Sequence, residues 1–188
     1  MTTEIVRDAL GIIVRNEGEY GAFFVRETAR MLKPHDWRYS CELTVQSSFG
    51  TVGHYWSHMG SPAHRFFDLD QKSYFLGKLF GDKTYEFDAK NTVRQLKKML
   101  INDRREREVD SDLAREIWEA LGDLDEFDNL EVFYDRYTEY PELMDWTTPG
   151  DIPNCQQITS QAEGFWKQLW PEFVQAMKDE AARPRDIS

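Results

Sequence analysis

The sequence predicts an α+β fold, with an N-terminal antiparallel β-meander of about three to four strands packed against a helical C-terminal half of about five helices. Three observations predict it. Apolar residues alternate at every second position from Cys41 to Val45, they recur at helical spacing from Phe66 onward, and no repeat, low-complexity tract or Gly/Ser linker divides the chain. A single domain over residues 1–188 is expected, strand-rich over 1–60 and helical over 61–146, with a loop at 147–160 as the one plausible internal boundary and a last helix over 161–180.

Residues 12–14 and 23–28 flank a turn-like stretch, 16–21, that holds two glycines, and they are expected to be strands, with helix as the alternative. Cys41, Leu43 and Val45 alternate with Ser40, Glu42, Thr44 and Gln46, the pattern of a half-buried strand. After Ser47-Ser48-Phe49-Gly50 the run 51–57 puts Val52, His54 and Trp56 on one face and Thr51, Gly53 and Tyr55 on the other, so a hairpin is implied. Ser61 and Pro62 form an N-cap and N1 pair, and Phe66, Phe67, Tyr74, Phe75, Leu76, Leu79 and Phe80 then recur at helical spacing until Gly81, enough for one or two helices.

A short strand over 85–87 follows. Asp88 then caps a basic helix over 89–107 with the stripe Val93, Leu96 and Leu100. Two acidic helices are expected next. The first, 111–121, turns Leu113, Ile117, Trp118 and Leu121 inward and ends at Gly122, and the second, 126–140, stops at Pro141. Ser160 and Glu163 form a capping box for the last helix, whose stripe is Phe165, Trp166, Leu169, Trp170, Phe173 and Met177, and Pro171 is expected to kink it.

Composition bounds the function. A chain of 188 residues with 40% hydrophobic residues, six Trp and twelve Phe has ample material for a core. Two cysteines far apart, behind a start with no charged and apolar leader, suggest neither secretion nor a disulfide framework, and no apolar run approaches the roughly 20 residues of a membrane span. The cytosol is the expected compartment. The net charge of −11 disfavours simple adhesion to phosphate backbones or anionic lipid. Its placement says more: residues 108–145 hold fourteen acids against Arg115 and Arg136, a local −12, so the rest of the chain sums to +1.

The segment CELTVQSSFGTVGHYWSHMG (41–60), the aromatic FFDLDQKSYFLGKLFG (66–81), RRERE (104–108), LAREIWEAL (113–121) and the closing FWKQLWPEF (165–173) together resemble a loose group of small phage- and prophage-encoded proteins. The resemblance covers most of residues 40–175. It transfers no catalytic or binding residue, because the group carries no assigned activity. What it implies is a setting, a phage protein acting inside a bacterium, where modulation of host machinery is a common role.

Candidate chemistry is sparse. His54, His58 and His64, with Asp68 and Asp70, suggest a metal cluster, but His54 and His58 on one strand stand about 13 Å apart, too far for one ion, so neither metal nor cofactor is expected. Phe49, Tyr55, Trp56, Phe66 and Phe67 could form a base-stacking platform, although such periods belong more often to a core. GxSxG, GxxxxGK[ST], GxGxxG, HExxH and CxxC are all absent, and Cys41 on the apolar face of a strand is expected to be an inert thiol with a raised pKa. An enzyme is therefore not expected.

The expected function is a non-catalytic phage interaction protein, such as an inhibitor of a bacterial defence nuclease or CRISPR effector. Its acidic helices would present Glu116, Glu119, Asp123, Asp125, Glu126, Asp128, Glu131 and Asp135 to a basic surface in the host cytoplasm, with Tyr134 and Tyr137 as apolar anchors. The alternative is a nucleic-acid-binding accessory of phage replication or recombination that uses Lys90, Arg94, Lys97, Lys98, Arg104 and Arg105 on the basic helix. A metal-dependent enzyme is a further alternative. The basic helix could equally pair with the acidic helices of its own domain and hold them in register.

Overall fold

The computed structural model describes residues 9–33 and 36–183. The start of the chain, where no leader is expected, lies outside the described residues. The chain gathers into two compact units: Met1–Thr84 with Thr159–Ser188, and the inserted Tyr85–Ile158. One crossing falls inside the 147–160 stretch singled out as an internal boundary. The other, at Thr84, carries no Gly, Pro or Ser cluster to announce it.

In the first unit β1 (Leu10–Asn16), β2 (Glu19–Lys33), β3 (Asp36–Ser47) and β4 (Gly50–Met59) form an antiparallel meander in sequential order. The first turn is tighter than 16–21: Glu17 and Gly18 make a two-residue loop with both φ values positive, at 50° and 91°. That conformation matches the twist of the flanking strands. Cys41, Leu43 and Val45 are fully buried beside Phe23 and Val25, as their alternation requires, and the register sets Cys41 across from Trp56 and Val45 across from Val52. A bulge between Tyr39 and Cys41 opposes two residues of β4 to one of β3.

Helices α1 (Ala63–Phe66), α2 (Lys72–Phe80), α7 (Ser160–Gln168) and α8 (Trp170–Ala182) cover the face of the sheet that carries these side chains. The core between them is aromatic. Phe23 stacks on Phe173 at 4.4 Å, Trp56 meets Phe67 edge-on at 5.3 Å, and its indole N–H donates to the Tyr74 hydroxyl at 3.1 Å. Two cap expectations and one kink are corrected here. Pro62 itself, not Ser61, holds the N-cap of α1. Thr159, one residue before Ser160, caps α7 by accepting from Ala162 N–H, while Glu163 pairs instead with Lys72 and Lys167. Pro171 lies in the first turn of a new helix, so the expected kink is a break at Leu169 between α7 and α8.

The second unit opens with β5 (Tyr85–Phe87), which pairs antiparallel with β6 (Gln156–Ile158), a strand the sequence assigns to loop. Asp88 caps α3 (Ala89–Glu106) by accepting from Asn91 N–H, and the stripe Val93, Leu96 and Leu100 is buried. Then come α4 (Ser111–Gly122), α5 (Leu130–Thr138) and α6 (Pro141–Trp146). The expected helix 126–140 is thus shorter and later: Asn129 accepts from Glu131 and Val132 N–H and starts α5, and Pro141 opens a helix instead of stopping one. Among the described residues the helical half expected from the sequence holds eight α-helices in place of about five, because short capped turns subdivide the apolar runs. The unit closes around Phe87, Leu96, Ile117, Leu121, Leu124, Phe133, Tyr137 and Leu143. Among the described residues no helix is long and apolar enough to cross a membrane.

Candidate partner-binding surface

The fourteen acids of 108–145 all belong to the inserted unit, and twelve of them are exposed, with Asp125 and Glu142 half-buried. The inward stripe of α4 is Ile117, Ala120 and Leu121, which leaves Glu116 and Glu119 in solvent. Asp125, Glu126 and Asp128 stand on the turn between α4 and α5, off any helix. There they line a cleft of about 310 Å³ with Asp88, Lys90 and Phe127. Glu131 and Asp135 are exposed along α5, and Asp123 accepts from the Tyr140 hydroxyl at 3.1 Å.

Two residues depart from their expected places. Tyr137, proposed as an anchor for a partner, is fully buried, and its hydroxyl donates to Leu143 O at 3.1 Å. It is a core residue that completes the α5–α6 junction. Burial pushes its phenol up from the ordinary tyrosine value. Trp118, expected inward, is 45% exposed instead. Its neighbour Ile117 takes the buried position, and a 100° step along the helix carries the indole to the rim of the stripe. There it flanks an apolar hollow of about 380 Å³ with Leu100, Ile101 and Ala114, rimmed by Arg104, Arg105, Arg115 and Glu119. Tyr134 is half-buried, its ring 6.3 Å from Phe133.

The basic helix packs beside α4 without ion-pairing to it, although the charge of Arg104 acts on Asp110 at the α4 N-cap. Among the described residues no ion pair joins Lys90, Arg94, Lys97, Lys98, Arg104 or Arg105 to an acid of 108–145. Lys97 places its ammonium 4.8 Å from the Trp118 ring, and Arg94 donates to Asn91 Oδ1 at 3.4 Å. The helices are brought together by burial of Leu96, Leu100, Ile117 and Leu121 and not by the ion pairs that the sequence left open. The ion pairs of the segment, Arg115 with Asp112 and Arg136 with Glu139, are exposed one-turn pairs, worth about 0–1 kcal/mol each.

The other candidates disperse. His54 sits edge-on to Trp56 at 4.7 Å, and His58 faces Arg38 at 2.8 Å from its Nδ1. Among the described residues no three His, Cys, Asp or Glu side chains gather at metal-binding spacing. Asp68 pairs with Lys178. Of the aromatic set, Trp56 and Phe67 are buried, Phe49 and Phe66 half-buried, and Tyr55 is 58% exposed. Burial, reinforced by the charges of Glu27 and Glu42, pushes the Cys41 thiol up to about 12, so it is protonated at neutral pH.

No curated protein and no solved structure shows a significant match to the chain. A family described as a phage family matches residues 38–179, from the middle of the sheet to the last helix. With about three quarters of its length inside that match, the chain belongs to this phage family.

Proposed function

We propose that this phage protein is a non-catalytic interaction protein that offers its acidic inserted unit to a basic surface of a bacterial nucleic-acid-handling complex, such as a defence nuclease or a CRISPR effector, in the host cytoplasm. One observation carries the reading: in the inserted unit twelve carboxylates are exposed and, among the described residues, no base of the adjoining helix is ion-paired to them. Concentrating like charge on short helices destabilises them by up to about 0.5 kcal/mol for a pair such as Asp112 and Glu116, so folding alone does not favour it. Carboxylates so arranged can occupy sites built for phosphates, and their field speeds encounter with a cationic partner. Trp118 replaces Tyr137 as the aromatic anchor, because it is exposed beside these acids.

The test is a pull-down from bacterial lysate with the wild type and the Asp125→Lys, Glu126→Lys, Asp128→Lys, Glu131→Lys variant in parallel. A basic nucleic-acid-handling partner retained by the wild type, released by salt and lost by the variant is expected. Equal retention by a folded variant would overturn the reading.

A second reading rests on the same lack of pairing seen from the other side. Lys90, Arg94, Lys98, Arg104 and Arg105 are exposed on one helix and could grip phosphate, as an accessory of phage replication or recombination would. It requires DNA affinity that falls steeply with salt, and a gel shift at about 50 mM salt that shows nothing removes it.

A further inference from the structure

The sheet has a second face, and among the described residues no helix covers it. By register it carries Ile13 and Arg15 from β1, Tyr20, Ala22, Phe24, Arg26, Thr28 and Arg30 from β2, Arg38, Ser40, Glu42, Thr44 and Gln46 from β3, and Thr51, Gly53 and Tyr55 from β4. A face left to water should be polar throughout. Here Ile13 is 65%, Tyr55 58% and Phe24 46% exposed. Phe24 is flanked along its row by Gly11 on one side and by Thr44 and then Gly53 on the other, so nothing bulky screens its ring.

The charge of this face is opposite to that of the chain. Among the described residues of this face four arginines, Arg15, Arg26, Arg30 and Arg38, stand against one carboxylate, Glu42, which already pairs with Arg26, whereas the whole chain carries −11. Arg15 lies 6.0 Å from the Tyr20 ring centre. Among the described residues the β2–β3 pair runs on beyond Val25 and Tyr39 without a third strand paired to it. Arg30 and Arg38, directly opposite each other, stand at one end of the aromatic patch, with the Arg38 guanidinium 2.8 Å from His58 Nδ1 of β4. Like charges set across a strand pair repel, so an anion between them would stabilise the pair.

We propose that the open sheet face is a binding site for single-stranded nucleic acid. Bases stack on Phe24, Tyr55 and Tyr20, and phosphates pass along Arg15, Arg30 and Arg38. Single strands suit the patch because every base offers a π-face to an exposed aromatic and the backbone follows a cationic track. A duplex hides its bases and could use the arginines alone. The hydroxyls of Thr28, Ser40, Thr44 and Thr51, interspersed among the aromatics, can bond sugar or base edges. This site does not depend on the acidic unit, and neither proposal needs the other.

Fluorescence anisotropy with the full chain and labelled (dT) and (rU) strands of about 20 nucleotides, at about 50 mM salt, tests it. Binding of at least one strand is expected, weakening steeply with salt, and the tighter of the two identifies the sugar. Phe24→Ala with Tyr55→Ala should weaken binding by about tenfold or more, Phe24→Tyr with Tyr55→Phe should preserve it, and Arg30→Ala with Arg38→Ala should flatten the salt dependence. Lys97→Glu with Arg104→Glu on α3 should leave it unchanged. Circular dichroism confirms that the variants are folded, and Tyr55→Ala alone decides the matter if the double variant is not. No binding to either strand, equal affinity for duplex, indifference to the aromatic substitutions, or loss only in the α3 variant would each overturn the site. So would a concentration-dependent dimer that Phe24→Ala dissolves, for then a second copy covers the face.

Discussion

Buried in the second unit, the Tyr137 phenol is neutral in the folded chain and held above its ordinary value by desolvation. A group whose folded pKa is raised contributes stability that is complete below the unfolded value, about 10 for tyrosine, and disappears as pH climbs above it. Tyr137→Phe should therefore lower stability by about 1 kcal/mol at neutral pH through the lost bond to Leu143 O, yet soften the alkaline decline. Urea melts at pH 7 and pH 11 check both. Cys41, at about 12, acts in the same sense from about pH 9 upward. In the native protein Cys155, half-buried, should react with a thiol reagent well before fully buried Cys41, and mass spectrometry of the labelled peptides decides which comes first. Gly164 marks a close approach: a Cβ there would lie 2.4 Å from Phe49 Cε1, so Gly164→Ala should cost about 1–3 kcal/mol in a thermal melt. Such contacts join residues more than a hundred positions apart and leave no trace in the sequence. What is legible at this scale is alternation. Cys41, Leu43 and Val45 are buried because period 2 admits one answer, whereas Ile117 and Trp118 are neighbours on a helix rim and period 3.6 leaves open which of them turns in.

Among the elements, strands and long helices were legible, as were the Asp88 cap of α3 and the bounds of α4, while other ends were not. The period-2 run gave β3 and the stripe Val93, Leu96 and Leu100 gave α3 with its Asp88 cap. The acidic run 126–140 misled because apolar spacing continues through a turn, while the start of α5 is set by one side chain, Asn129, which accepts two orphan amides. Asn129→Ala should accordingly cost about 1 kcal/mol and fray α5, measurable by urea melts and by faster amide exchange at Glu131 and Val132. Asp110 does the same for α4, accepting from Asp112 and Leu113 N–H, and these bonds draw its carboxyl below the usual range. A depressed carboxylate contributes stability above its unfolded value, about 3.9, that is lost as pH falls through the folded one. Acidification should thus fray α4, while Asp110→Asn should remove most of that pH dependence. The acidic surface itself was legible as composition. That no base of α3 pairs with it was not, because pairing depends on the directions of side chains and not on their order.

For the molecule as a whole, we expect folding as one domain despite the two compact units. The inserted unit has 74 residues, near the size at which a core is marginal, and its two ends are held by the rest of the chain. Calorimetry should show one cooperative transition, and excised residues 85–158 should melt far below the intact chain. Two separated peaks would count against it. The crossings themselves are narrow: Thr159 N–H donates to Thr84 O at 3.0 Å, and β5 and β6 continue side by side from there. The chain leaves and returns within one strand spacing, about 5 Å. Topologically, residues 85–158 are therefore a detachable cassette: a two-residue turn such as Asn-Gly could rejoin Thr84 to Thr159 and leave the four-stranded meander with its own aromatic core. The same geometry would let one insert replace another without rebuilding the sheet that carries it.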